Sequence, residues 1–329
     1  MFAAALPRIC GVSVLGPVVA AAAPVGLGLA ALGRPAYINL GREQDLGGHR
    51  SQAELERRAH AVLDAAWVAG VRYFDTARSY GLGESFLSSW LAGRAPTADQ
   101  PVVGSKWGYT YTGQWRMDEP VQERKDLSAA TFRRQLAETR ELLGDRLSLY
   151  QIHSATIESG VLDDAELLGE LAALRRSGVA VGLTVTGPGQ AETIDRALEL
   201  GIFDTVQATW NLLERSAAPA LQRAHEAGLG VIVKEALANG RLTIHGAEPA
   251  LLAYAREHEL PPDAVAIAAA VSQPWSDVVL SGAVSPEMLA SNLRALEQVR
   301  DGARPADDLS PLRVEPDAYW QGRSQLPWL

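Results

Sequence analysis

The chain has 329 residues, is 47% apolar and carries a formal net charge of −9 at neutral pH. An acidic balance without a basic stripe of interleaved aromatics argues against a nucleic-acid partner. The single cysteine, Cys10, cannot build a disulfide framework or a thiolate metal site. No apolar run reaches membrane-spanning length uninterrupted, so the expected setting is cytoplasmic with no membrane contact.

Residues 1–23 hold one early cation, Arg8, then an Ala- and Val-rich stretch broken by Gly11, Gly16 and Pro17. Ala21-Ala22-Ala23 imitates a signal-peptide cleavage site. Two other readings stand beside it: strands closing the bottom of a barrel, or an extension ahead of the fold. Pro24 to Ala30 predicts a short strand. Gly26-Leu27-Gly28-Leu29-Ala30-Ala31 matches a dinucleotide fingerprint, but that fingerprint needs a helix next. Gly33-Arg34-Pro35 follows instead, which excludes a Rossmann unit.

Leu55, Ala59, Val62, Leu63, Ala66 and Trp67 form a stripe that predicts a helix over 52–69, ended by Gly70. A strand over 71–74 follows and ends in Asp75, with Tyr80 five residues on. A helix over 84–91 leads to a strand over 101–105, which ends at Lys106. The long segment 107–127 carries Tyr109, Tyr111 and Trp115, read either as a binding wall or as packing. Ser128 is placed to cap a helix over 129–143. Thereafter strands and helices alternate. Strand 147–152 is followed by His153, strand 179–183 by Thr184, strand 204–206 by Gln207, strand 229–233 by Lys234 and strand 277–280 by Ser281. Helices are predicted over 164–176, 190–200, 214–227, 247–257, 263–271 and 286–300. A Pro- and Asp-rich tail from Asp301 contains Tyr319, Trp320 and Trp328.

Eight strands each followed by a helix point to one α/β domain, a (β/α)8 TIM barrel over 24–300, with the tail 301–329 near its mouth. An open doubly wound sheet is the alternative. In a closed parallel barrel the strand ends share one rim, so Asp75, Lys106 and His153 meet there and Tyr80 reaches the same mouth. A free tyrosine titrates near about 10, and a neighbouring ammonium favours the phenolate. Lys106 supplies that charge, Asp75 holds Lys106, and His153 can donate to a carbonyl oxygen. This is a proton-transfer device for a carbonyl or alcohol. His49, His60, His225, His245 and His258 show no metal-ligand spacing, so no metal is expected.

Asp75-Thr76-Ala77-x-x-Tyr80-Gly81-x-x-Glu84, then Lys106, then Ile152-His153, resembles the aldo-keto reductase family. So do Gln207-x-x-Trp210-Asn211, Ala236-Leu237-x-x-Gly240-x-Leu242, and Ser281-Gly282-Ala283 with Asn292. The resemblance runs from about Val25 to Val299. It implies an NAD(P)(H)-dependent oxidoreductase acting on an aldehyde, a ketone or the matching alcohol, sugars included. A non-catalytic nucleotide-binding subunit on the same barrel is the alternative; the intact tetrad favours the enzyme. Tyr80 would be the general acid or base, tuned by Lys106 and Asp75, with His153 orienting the carbonyl. Gln207 would hold the carboxamide. Ser281, Gly282, Ala283, Ser285 and Asn292 would serve the adenosine phosphates and adenine, and Gly28, Leu237 and Gly240 would line the cofactor's path.

Two departures from the family pattern stand out. Thr184-Val185 replaces a common Ser-Asn pair. Lys234 replaces an aromatic that stacks on the nicotinamide, leaving Trp210 as the nearest ring. NADP(H)-preferring members often place bases where this chain has Gly282 and Met288. The expected selectivity is therefore weak, NADP(H) or NAD(H), with family habit tilting to NADP(H).

Overall fold

The structure, a computed structural model, describes residues 14–16, 23–48, 50–94 and 100–328. Cys10, His49 and most of the segment 1–23 on which the signal-peptide reading rests fall outside the described residues.

Ten strands are described in chain order: β1 Val25–Gly28, β2 Tyr73–Asp75, β3 Val102–Trp107, β4 Tyr109–Tyr111, β5 Glu123–Lys125, β6 Leu147–Ala155, β7 Ala180–Val185, β8 Thr205–Thr209, β9 Gly230–Lys234 and β10 Val278–Ser281. Eight of them close a parallel barrel in the order β1-β10-β9-β8-β7-β6-β3-β2. β1 completes it, pairing Leu27 with Ser281 on one side and Gly28 with Asp75 on the other. The open-sheet alternative is excluded. These strands are Val-rich and almost wholly buried, as a parallel barrel wrapped by helices requires.

The helices follow the predicted apolar stripes. In Gln52–Val68 the buried residues are Leu55, Ala59, Val62, Leu63 and Ala66, and Ser51 caps the start by accepting from the Glu54 amide. Ser128 does the same for Ala129–Leu143 through the Thr131 amide. At the N-terminal ends of the strands, Leu15 packs inside the barrel with Tyr73, Val102, Leu149, Ile232 and Val278.

Several boundaries differ from the sequence reading. The predicted helix over 214–227 begins only at Ala218. Before it, Asn211 accepts from the Leu213 and Glu214 amides and folds the chain into a turn. The predicted helix over 286–300 is two helices, Pro286–Leu293 and Ala295–Arg300, with Arg294 between them. The segment 107–127 is not featureless: β4 and β5 pair antiparallel within it. The tail contains the helix Pro316–Ser324, with Tyr319 and Trp320 buried. Among the described residues no helix is long and apolar enough to cross a membrane.

Candidate active site

The C-terminal rim brings the four expected residues together. Lys106, near the end of β3, pairs with Asp75 Oδ1 at the end of β2. Its Nζ also donates to Thr76 O at 3.0 Å and lies 3.3 Å from the Tyr80 hydroxyl. Asp75 and Lys106 are 2% and 1% exposed. A buried carboxylate must have its oxygens satisfied. Asp75 Oδ2 accepts from the Tyr73 hydroxyl and from Gln207 Nε2, each at 3.0 Å. Gly104 makes the Tyr73 contact possible, since a Cβ there would lie 2.4 Å from the Tyr73 hydroxyl oxygen.

Tyr80 sits in the loop after β2, and that loop is clamped to the loop after β1. The Leu82 amide donates to Gly33 O at 2.7 Å. A Cβ on Gly33 would approach Tyr80 O to 2.1 Å, and Gly81, at φ 60°, would push one to 2.4 Å from Gly33 O. Both positions therefore demand glycine. Glu84, buried in the next helix, holds the loop through Arg78 and accepts from Thr139 Oγ1 at 2.9 Å. His153 meets Tyr80 edge-on at 5.6 Å between ring centroids, and Tyr109 of β4 at 4.9 Å.

The protonation pattern differs from the sequence expectation at one point. Lys106 was expected to lower the tyrosine. Instead the Tyr80 phenol is held well above its ordinary value by burial and by Asp75, with Arg34 pulling the other way. Burial is the larger cause, and the nearby Lys106 ammonium is itself paired with Asp75. Burial also lowers Lys106 itself, and Asp75 offsets this. His153 is pushed well below its ordinary value by burial and by the cations Lys106 and Lys234, so its ring is neutral. The site rests as a neutral phenol, a neutral imidazole and an ammonium–carboxylate pair.

A cavity of about 670 Å³ opens from these groups. Gly28, Gln207, Lys234, Leu237, Gly240, Ser281, Gly282, Ala283 and Asn292 line it, as expected. Three expected residues do not. Thr184 Oγ1 accepts from the Ser154 amide at 2.7 Å, where β6 bulges against β7 with Ser154 at φ 57°. Trp210 is 2% exposed and packs on Trp275 at 5.8 Å, so it cannot take over the stacking role. Ser285 caps the helix Pro286–Leu293 through the Met288 amide. Gln207 lines the cavity, yet its amide nitrogen is committed to Asp75.

The sequence reading missed a ring of charge at the mouth. Arg34 donates to Glu123 Oε2 at 2.8 Å. Arg323, in the tail helix, donates through Nε to both Glu235 oxygens at 3.0 and 2.9 Å. Tyr37 and Trp328 line the same opening. The available signal was that Glu235 directly follows a rim residue and that the tail is aromatic; neither reveals its partner.

The aldo/keto reductase family pattern matches residues 26–301, the whole barrel. Over 309 residues the chain is 27% identical to D-threo-aldose 1-dehydrogenase from a Pseudomonas species, covering 83% of this chain and 91% of that protein. It is 25% identical to Protein tas of Escherichia coli over 299 residues, covering 73% and 85%. A Pseudomonas aeruginosa structure described as an aldo-keto reductase superposes with a TM-score of 0.63 at 27% identity, covering 84% and 90%. The holo form of the aldo-keto reductase AKR11C1 from Bacillus halodurans shares the fold, with a TM-score of 0.66 at 21% identity over 87% and 91%. The chain is an oxidoreductase that belongs to the aldo/keto reductase family.

Proposed function

We propose that this chain is an NAD(P)(H)-dependent oxidoreductase that interconverts an aldehyde or ketone and its alcohol, with Tyr80 as the general acid or base. The observation that carries the reading is the Tyr80 hydroxyl 3.3 Å from an ammonium that Asp75 holds in place, at the wall of the cavity. The cavity suits a dinucleotide. Its volume lies within the usual range of about 300–1,000 Å³ for cofactor sites. A Cβ added at Gly282 would meet nothing within 4 Å, so the backbone there is open to a ligand. Among the described residues, the buried His153 Nδ1 and Asn239 Oδ1 have no hydrogen-bond partner.

Bound nicotinamide would supply or accept the hydride. The chain's own task is to move the proton and place the carbonyl. Tyr80, neutral at rest, can give its proton to the carbonyl oxygen as negative charge develops there. Lys106 stands beside the phenolate left behind, and Asp75 keeps Lys106 charged. In alcohol oxidation the same phenolate takes the proton back. Neutral His153 has one nitrogen to donate to the substrate oxygen, which orients it.

The far end of the cavity argues for NAD(H). Resemblance to the family assigns adenosine to Ser281, Gly282, Ala283 and Asn292. There Asn292 donates to Asp263 Oδ2 at 2.6 Å and accepts from Ser281 Oγ at 2.7 Å. Asp263 and Glu287 both line the cavity, and no Lys or Arg of β10 or the helix Pro286–Leu293 accompanies them. Arg294 is turned away, donating to Glu259 O at 3.1 Å. Carboxylates accept from ribose hydroxyls and repel a 2′-phosphate, so the tilt moves from NADP(H) to NAD(H). Sugars remain in the substrate class, supported by the aldose-oxidising relative and by the carboxylates and aromatic rings of the mouth.

A panel of aldehydes, alcohols and aldoses run with both nucleotides tests the reading, together with Tyr80→Phe. Turnover in the variant should fall by roughly two to four powers of ten, the range for losing a general acid. Nucleotide affinity should barely change. A folded variant with near-normal turnover would sink the assignment.

A further inference from the structure

Arg34 is an unusual cation for a cavity mouth. It is 2% exposed. Its guanidinium lies 5.3 Å from the centroid of the Tyr80 ring, 5.2 Å from that of Tyr37 and 4.8 Å from that of Trp328. Nη1 donates to Ser79 O, on the residue before Tyr80, at 3.0 Å, and to Glu123 Oε2 at 2.8 Å. It thus touches Tyr80 twice, through the ring and through the preceding carbonyl, while Lys106 Nζ meets the hydroxyl at 3.3 Å and lies 4.7 Å from the same ring centroid.

We infer that Arg34 is a positioning residue for Tyr80: it fixes the ring in the mouth and steadies the negative charge the ring carries once its proton has gone. The inference rests on the acid/base role proposed above. A phenolate spreads its charge into the ring, so a cation stacked on the ring is attracted to the deprotonated form more than to the phenol. The charged groups around Tyr80 are Asp75, Lys106, Arg34, Glu123 and Glu235, with neutral His153 and Tyr37 beside them. Asp75, Glu123 and Glu235 oppose deprotonation, and Arg34 favours it. Trp328 covers the guanidinium on another side, which limits screening by water.

The test is the pH dependence of kcat/KM for oxidation of 4-nitrobenzyl alcohol with NAD+ in wild type, Arg34→Met, Arg34→Lys, Glu123→Gln and Tyr80→Phe. Met keeps apolar volume among the three rings. Its rising limb should move alkaline by about one pH unit, a loss of about tenfold at fixed pH below the limb. Lys should recover most of the loss. Glu123→Gln should move the limb the other way, to lower pH, because it deletes a charge that opposes the phenolate. A merely structural Arg34–Glu123 bridge would move both variants in one direction. A Tyr80-dependent limb unmoved in Arg34→Met, or shifted alkaline in Glu123→Gln, overturns the Arg34 role alone. Turnover that ignores Tyr80, or no nucleotide-dependent turnover, removes the acid/base reading and the Arg34 role with it. Glu123→Gln keeps the inference falsifiable should Arg34→Met fail to fold.

Discussion

Lys234 costs this protein stability at neutral pH, and replacing it should show how much. It ends β9 and lines the cavity with its side chain 16% exposed. Its Nζ donates to Thr209 Oγ1 at 2.8 Å, while the nearest carboxylate, Glu235, is 4.0 Å away and already engaged by Arg323. Burial therefore wins over the Glu235 attraction and lowers the ammonium from 10.5 to about 8. That drop corresponds to roughly 3 kcal/mol of penalty on the folded, charged form. The folded value lies below the unfolded one, so between about pH 8 and 10.5 the unfolded chain binds the extra proton and stability rises with pH. Below pH 8 the full penalty applies. Lys234→Met removes it and loses one hydrogen bond, worth about 1 kcal/mol. The net gain at pH 7 should be about 1–2 kcal/mol, a rise of a few degrees in Tm. By pH 10 wild type has shed most of the penalty, and the two melting curves should nearly coincide. Thermal melts followed by circular dichroism at both pH values measure this. A variant no more stable than wild type at pH 7, or a gap that persists at pH 10, would refute the reasoning.

Two other outcomes follow from the mouth and the far end of the cavity. Intrinsic-fluorescence titration of the apo-protein should give NADH the tighter Kd, by tenfold or more over NADPH, which is about 1.4 kcal/mol. Glu287→Arg should narrow or reverse that gap, and an NADPH preference in wild type would show that a cation other than those identified reaches the phosphate. Arg323→Met releases the tail helix from Glu235 while Tyr319 stays bonded to Asn211 at 2.9 Å. It should change the ranking of carbonyl substrates more than it changes nucleotide affinity; equal effects on both would make the tail a general stabiliser.

The barrel was legible because its strands are short apolar runs closed by a polar residue and followed by amphipathic helices. The clustering of the four rim residues was legible for the same reason, since Asp75, Lys106 and His153 each break an apolar run near the C-terminal end of a strand, on the one rim that topology makes common. What stayed hidden depends on direction and burial. Thr184 lies near the end of its strand as His153 does, but the bulge between β6 and β7 gives its hydroxyl to the Ser154 amide. Trp210 follows a rim strand and turns outward to Trp275. Arg34 and Glu123, 89 residues apart, and Glu235 and Arg323, 88 apart, are ordinary loop and tail charges until barrel closure sets them face to face.

Burial also explains why the expected depression of Tyr80 did not appear. A sequence displays the charge of Lys106, but not that it pairs with Asp75 where both side chains are almost wholly buried. Burial and Asp75 hold the phenol up, and charges from outside the tetrad add to them: Arg34 after β1 pulls it down, while Glu123 on β5 and Glu235 after β9 push it up. Loops and a hairpin vary more freely than strand ends. A chain with the same four rim residues and different loop charges would therefore hold its tyrosine at a different point. Three of the four site residues stand on barrel strands and Tyr80 on a loop, and the charges of the connecting segments add to what burial and Asp75 do to the phenol.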